Sequence, residues 1–155
     1  MTVIEIRPTR FDDPVALAMI EAALADLSAR YGGGGDSTPV DPDEFAPPQG
    51  CFLVAWLDGR PAGCGGWRTL ASDDTVAEIK RMYTAPSARG WGVASAVLRA
   101  LEDSARDVGR KRAMLETGEQ QPEAIALYQK LGYERIPNFG YYKDSPNCVS
   151  FGRVL

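Results

Sequence analysis

Residues 78–95 read Glu78-Ile79-Lys80-Arg81-Met82-Tyr83-Thr84-Ala85-Pro86-Ser87-Ala88-Arg89-Gly90-Trp91-Gly92-Val93-Ala94-Ser95. A strand ends, a short loop carries Arg89 to Ala94, and a helix begins at once. A helix N-terminus offers free backbone N–H groups, and small residues let a ligand approach them, which makes an anion cradle. Arg89 could add a charged hydrogen bond to a phosphate oxygen. The same glycines also suit a tight turn packing helix on strand, so the run decides nothing alone. It is neither GxxxxGK[ST] nor GxGxxG, because position 95 is Ser. P-loop and Rossmann readings therefore lack support.

Upstream, Cys51–Leu57 and Pro61–Thr69 flank Asp58-Gly59, a strong hairpin signal, and Thr75–Tyr83 follows the Asp73-Asp74 turn. Three antiparallel strands in succession make a meander. Earlier still, Val3–Arg7 alternates as a short strand. Pro14 then opens a helix expected to reach about Arg30, with apolar residues at helical spacing. Residues 32–50 are rich in Gly, Pro and Asp and form a long loop, with one helical turn expected at Asp43–Phe45; loops this long are often functional. Downstream, the helix opening at Gly90 runs through Val97, Leu98 and Leu101 to Gly109. A strand at Arg112–Thr117, a helix from Pro122 to Gly132, and strands at Tyr133–Ile136 and Cys148–Leu155 complete the chain. This order predicts one α/β (α+β) domain over residues 1–155. Its mixed, mostly antiparallel sheet has six to seven strands and helices on both faces.

Three motifs in register carry a resemblance. Arg89-x-x-Gly92-x-Ala94 is similar to the Q/R-x-x-G-x-G/A signature of the GCN5-related N-acetyltransferases, the GNAT superfamily. Residues 77–83 look like that family's fourth strand. Gln121-Pro-Glu-Ala124-Ile-Ala-Leu127-Tyr128-Gln-Lys130-Leu-Gly132-Tyr133 resembles its N-x-x-A-x-x-L-Y-x-K-x-G-F motif, with Gln121 in place of asparagine. The resemblance implies the acyl-CoA N-acyltransferase fold and transfer of an acetyl group from acetyl-CoA to an amine. It implies a pyrophosphate held by Arg89, Gly90, Trp91, Gly92, Val93 and Ala94, with Ser95 near. Pantetheine would lie like an added strand along Met82, Tyr83 and Thr84, with Gln121, Ala124 and Lys130 contributing from the downstream motif. A backbone N–H of that strand would receive the acetyl oxygen.

The chemistry sets further needs. A lysine-like amine of pKa ~10.4 is almost wholly protonated at neutral pH, so the protein must accept a proton directly or through water. The chain has no histidine, which leaves carboxylates and tyrosine. Glu78 is the first choice, where some relatives carry a catalytic glutamate; its alternative is a surface ion pair. Glu116 could also be the base. Tyr128 matches the tyrosine that protonates the CoA thiolate, and could equally pack in the core. Strand alternation puts Glu78, Lys80 and Met82 on one face and Ile79 and Arg81 on the other, unless a bulge intervenes. Arg68, Lys80 and Arg81 could meet a substrate carboxylate or be surface charge. Asp36, Asp41, Asp43 and Glu44 could attract a cationic amine but read by default as solvated loop charge, and Trp67 and Trp91 read as packing residues.

Composition limits the rest. Of 155 residues, 45% are hydrophobic and 25% charged, with 17 basic and 21 acidic side chains for a net −4. That acidity disfavours nucleic acid as a main partner. No apolar run reaches the ~18 residues of a membrane span, no signal pattern opens the chain, and a cytoplasmic location is expected. The three cysteines Cys51, Cys64 and Cys148 form no CxxC and read as small buried hydrophobes; no metal is implied. A small-molecule amine, amino-acid-like at its most specific, is the expected acceptor of a monomer or homodimer. A peptide amine acceptor, and a non-catalytic acyl-CoA sensor, are the alternatives.

Overall fold

A computed structural model describes residues 2–155. Strands β1 (Ile4–Pro8), β2 (Gly50–Leu57), β3 (Arg60–Leu70), β4 (Asp73–Thr84), β5 (Arg112–Gly118), β6 (Glu134–Ile136) and β7 (Cys148–Val154) join one sheet. Its order is β1-β2-β3-β4-β5-β7-β6, antiparallel throughout except for the parallel β4–β5 pair. Helices α1 (Pro14–Tyr31), α2 (Val93–Asp107) and α3 (Pro122–Lys130) cover it, with a 3-10 turn at Pro42–Phe45. Every element read from the sequence is present within a few residues, and the sheet has seven strands.

Local chemistry sets the boundaries. The Asp13 side chain accepts the Val15 N–H at 2.9 Å, and Pro14 fills the first turn of α1. Asp58 and Gly59 both take positive φ (49° and 84°), the backbone of a tight hairpin turn. Helix α2 connects β4 to β5 as a crossover, the only simple route between parallel neighbours.

Both faces of the central strands are buried. On one, Leu53, Trp67, Ile79, Leu115 and Phe151 pack with Val97, Leu98 and Leu101 of α2 and Tyr128 of α3. On the other, Phe52 and Val54 pack with Phe11, with Ile20 of α1 and with Phe45. Phe11 stacks on Phe45 at 4.8 Å, and Phe52 meets both edge-on. Alternate residues of β2 thus serve opposite cores, which fixes its register.

The departure from simple alternation lies in β4. Gly66 pairs with Lys80 and Cys64 with Tyr83, so Gly65 alone faces Arg81 and Met82. This is a β-bulge, and Arg81 sits at φ 61°, in the left-handed region. The bulge changes the expected faces. Lys80 and Arg81 both turn toward Asp36, whereas Met82 joins the α2 core with Ile79. Gly65 makes room for this: a Cβ there would overlap the Met82 sulfur and lie 3.1 Å from Val97 Cγ1.

Candidate active site

The parallel pairing of β4 and β5 stops at Ile79–Leu115. Beyond it the strands diverge, and the edge of β4 from Lys80 to Thr84 has β3 on one side and open space on the other. Three cavities meet along this fork. The first, about 370 Å³, runs from the α2 N-terminus past Met82, Tyr83 and Thr84 to Tyr128. The second lies in the fork, between Met82, Lys80, Glu116 and Tyr128. The third, about 210 Å³, opens beyond Lys80 and Glu116 under Tyr31 and Tyr142.

The first cavity fits an elongated anionic ligand. Gly92, in the left-handed region at φ 81°, precedes α2; no side chain caps the helix and no acid sits in its first turn. The N–H groups at its start are therefore free for phosphate oxygens. Arg89, Gly90, Gly92, Val93, Ala94 and Ser95 line this end, and Gln121 and Ala124 the opposite wall. The unpaired β4 edge can receive an extended chain through backbone hydrogen bonds. Together these features suit pyrophosphate followed by pantetheine.

Two sequence expectations for this region are corrected. Lys130 is exposed and lines none of the three cavities. It follows Tyr128 by two residues, about 200° around the helix, so it points away when Tyr128 points in. Trp91 is 55% exposed rather than packed, while Trp67 is fully buried.

Tyr128 is buried with its ring 5.8 Å from that of Tyr133 and 6.3 Å from Phe151, and it borders both the first cavity and the fork. It is a core residue that also borders two cavities. Burial alone pushes its phenol above the usual tyrosine range, so it stays protonated and can donate.

The two glutamates have exchanged prospects. Glu78 is 4% exposed, accepts from Arg68 Nε at 2.8 Å and lines none of the three cavities. Arg68 also binds Glu44 at 3.0 Å and the Pro39 carbonyl at 2.8 Å. Both Glu78 and Arg68 are thus engaged in a network that pins the 32–50 loop to the sheet, the ion-pair alternative for Glu78. Glu116, just past the last β4–β5 pair, borders both the fork and the third cavity. Its Oε2 accepts the Tyr142 N–H at 2.9 Å and its Oε1 is buried without a partner. A carboxylate bordering both cavities is the type of group that can take a proton from an amine.

Sequence reasoning missed a cluster beside it. Asp36 pairs with Lys80 at 3.1 Å and with Arg81, and Lys80 Nζ donates to Thr38 Oγ1 at 3.0 Å. Burial opposes ionisation of Asp36, but the two cations and the Thr38 hydrogen bonds outweigh it and hold its pKa down to about 2. Asp36 is therefore not solvated loop charge, whereas Asp43 meets only the exposed Arg10. Tyr31 accepts the Gln120 N–H at 3.0 Å and lines the third cavity. All three cysteines are buried; burial raises the Cys64 thiol to about 12, so it is no nucleophile at neutral pH.

A splayed parallel pair, an uncapped helix start beside it and a buried tyrosine at the junction define an acyl-CoA-dependent N-acyltransferase architecture. Comparison with known proteins agrees. Residues 20–133 match the acetyltransferase (GNAT) family. The chain is 37% identical over 116 residues to an IAA acetyltransferase of Azospirillum brasilense, covering 75% of each. It is 35% identical over 139 residues to the uncharacterized N-acetyltransferase YjgM of Escherichia coli strain K12, covering 84% of this chain and 81% of that one. A Klebsiella pneumoniae structure assigned to the acyl-CoA N-acyltransferases superposes with a TM-score of 0.81 at 29% identity, over 99% of this chain and 98% of that one. The chain belongs to the GNAT acetyltransferase family, whose members draw the acetyl group from acetyl-CoA. Among the described residues, no helix is long and apolar enough to cross a membrane.

Proposed function

We propose that the chain moves the acetyl group of acetyl-CoA directly onto a primary amine of a small molecule, with Glu116 as proton acceptor and Tyr128 as proton donor. Acetyl-CoA lies in the first cavity, its pyrophosphate on the N–H groups opening α2 and its thioester beside Met82 and Tyr83. The amine enters from the third cavity and gives up a proton to Glu116, directly or through water. Its lone pair attacks the thioester carbon, the C–S bond breaks, and Tyr128 protonates the departing thiolate. The nitrogen loses its second proton as the amide forms; that proton restores Tyr128 through water, and Glu116 releases the first to solvent. The observation that carries this reading is the continuity of the three cavities: Glu116 stands where acceptor and fork meet, and Tyr128 where fork and cofactor channel meet.

Thiol release from acetyl-CoA against a panel of amines and peptides tests it. Glu116→Gln is expected to lower kcat at least a hundredfold while the acetyl-CoA Kd stays within threefold. Glu78→Gln is expected to weaken the fold instead and to leave the acidic limb of the pH–rate profile in place. Loss of that limb in Glu78→Gln alone would return the base to Glu78. Acetyl-CoA binding with no turnover on any amine would make the chain a sensor.

A further inference from the structure

Lys80 and Glu116 are the first residues past the last β4–β5 pair, one on each arm of the fork, and both line the fork and the acceptor cavity. Opposite charges so placed would ordinarily close on each other. Here each is held back on its own wall. Lys80 is engaged by Asp36 at 3.1 Å and Thr38 at 3.0 Å, and Glu116 by the Tyr142 N–H at 2.9 Å.

The two walls carry opposite net charge. On the β4 side, Lys80 and Arg81 share one anion, Asp36, and both cationic side chains are 5% exposed. Thr38 adds only neutral oxygens, so that wall is positive by one charge. On the β5 side Glu116 is negative by one. Each wall also keeps an unspent polar atom, since Arg81 Nε and Glu116 Oε1 are buried with no hydrogen-bond partner. The rest of the acceptor cavity is uncharged, with Leu27, Tyr31, Gln121, Tyr142, Asn147 and Cys148 prominent.

Resting on the transferase reading above, we infer that the acceptor is a free α-amino acid with an uncharged side chain, its carboxylate toward Lys80 and its amine at Glu116. A buried charge is costly unless an opposite charge meets it. An amine without a carboxylate leaves the β4 wall uncompensated, and a second charge on the side chain finds no partner. The arms start from neighbouring strands, ~4.8 Å apart at the last pair, and diverge from there, so a ligand that bridges them at their base carries its two charges close together. Those of an α-amino acid lie so; those at the ends of a long chain do not. Asp36 is a positioning residue, holding Lys80 at the cavity wall.

The test follows CoA release with the free amino acids, then with the best of them, its amide and its decarboxylated amine. The amino acid is expected to exceed both by at least tenfold in kcat/KM, chiefly through KM. The amide is a demanding control, because its less basic amine is more often neutral. Lys80→Met is expected to raise KM for the amino acid at least tenfold and reduce the preference to threefold or less. Lys80→Arg keeps most of it. An unchanged acetyl-CoA Kd certifies the fold of both variants. Equal or better use of the amide or the amine overturns the inference, as does a Lys80→Met variant that keeps the preference or a best substrate with a charged side chain. No turnover on any amine overturns the transferase reading beneath it.

Discussion

Replacing Asp36 with asparagine removes the anion that Lys80 and Arg81 share. In the folded protein its carboxyl falls from 3.8 to about 2; at ~1.36 kcal/mol per unit, that is about 2.4 kcal/mol of stabilisation at neutral pH. Asparagine also leaves two buried cations facing each other, and breaking a buried pair costs ~3–5 kcal/mol. The expected loss is therefore about 2.5–4 kcal/mol at pH 7, read from urea unfolding. Its pH dependence is diagnostic. A carboxyl with a depressed folded pKa stabilises fully above its unfolded value, and loses that contribution as pH falls through the folded one. The gap between wild type and Asp36→Asn should hold constant from about pH 8 to 5 and narrow progressively toward pH 2.5. A loss under about 1 kcal/mol at pH 7, or a gap as wide at pH 3 as at pH 7, would refute the cluster's role.

Tyr128→Phe should lower kcat by about two orders of magnitude with acetyl-CoA affinity held within threefold, measured by steady-state kinetics and calorimetry. Because burial raises the phenol, no loss of rate from Tyr128 ionisation should appear up to about pH 9. Gly65→Ala drives a methyl into the Met82 sulfur, Val97 and Leu101; it should cost about 1–3 kcal/mol in urea unfolding and weaken acetyl-CoA binding at least fivefold by displacing Met82. Gly92→Ala has open space for its methyl but must keep φ at 81°, so a loss of about 1–2 kcal/mol, seen in thermal unfolding, should come from backbone strain alone.

The fold was legible because its signals are local: Asp58-Gly59 for the hairpin, Pro14 and Pro122 for helix starts, alternation for the strands. The uncapped start of α2 was equally legible, since Arg89 to Ser95 form one continuous loop and helix start. The acceptor side was not, because it is assembled across distance. Asp36 looks like one more polar residue in a glycine-rich loop until the chain brings it, 45 positions away in sequence, onto Arg81. The bulge at Arg81 leaves no mark in the sequence: a left-handed arginine is unfavourable by itself, and only the β3 register imposes it. That slip turned Met82 inward and Arg81 toward Asp36, defeating the alternation rule. The proposal of Glu116 over Glu78 rests likewise on a partner, Arg68, ten residues from Glu78 across a hairpin. Lys130 lies apart from the cavities for a simpler reason: motif spacing says which residues recur, not which side of a short helix faces inward.

The three tryptophans sit in three different settings: Trp67 is sealed in the core, Trp56 lies under the Arg7 guanidinium at 4.5 Å, and Trp91 stands exposed between the two glycines before α2. Only the last borders the loop over which a nucleotide would settle. The molecule thus carries its own optical gauge. Indole emission, with Trp91→Phe as the blank, can follow ligand arrival at that loop without a label and independently of turnover.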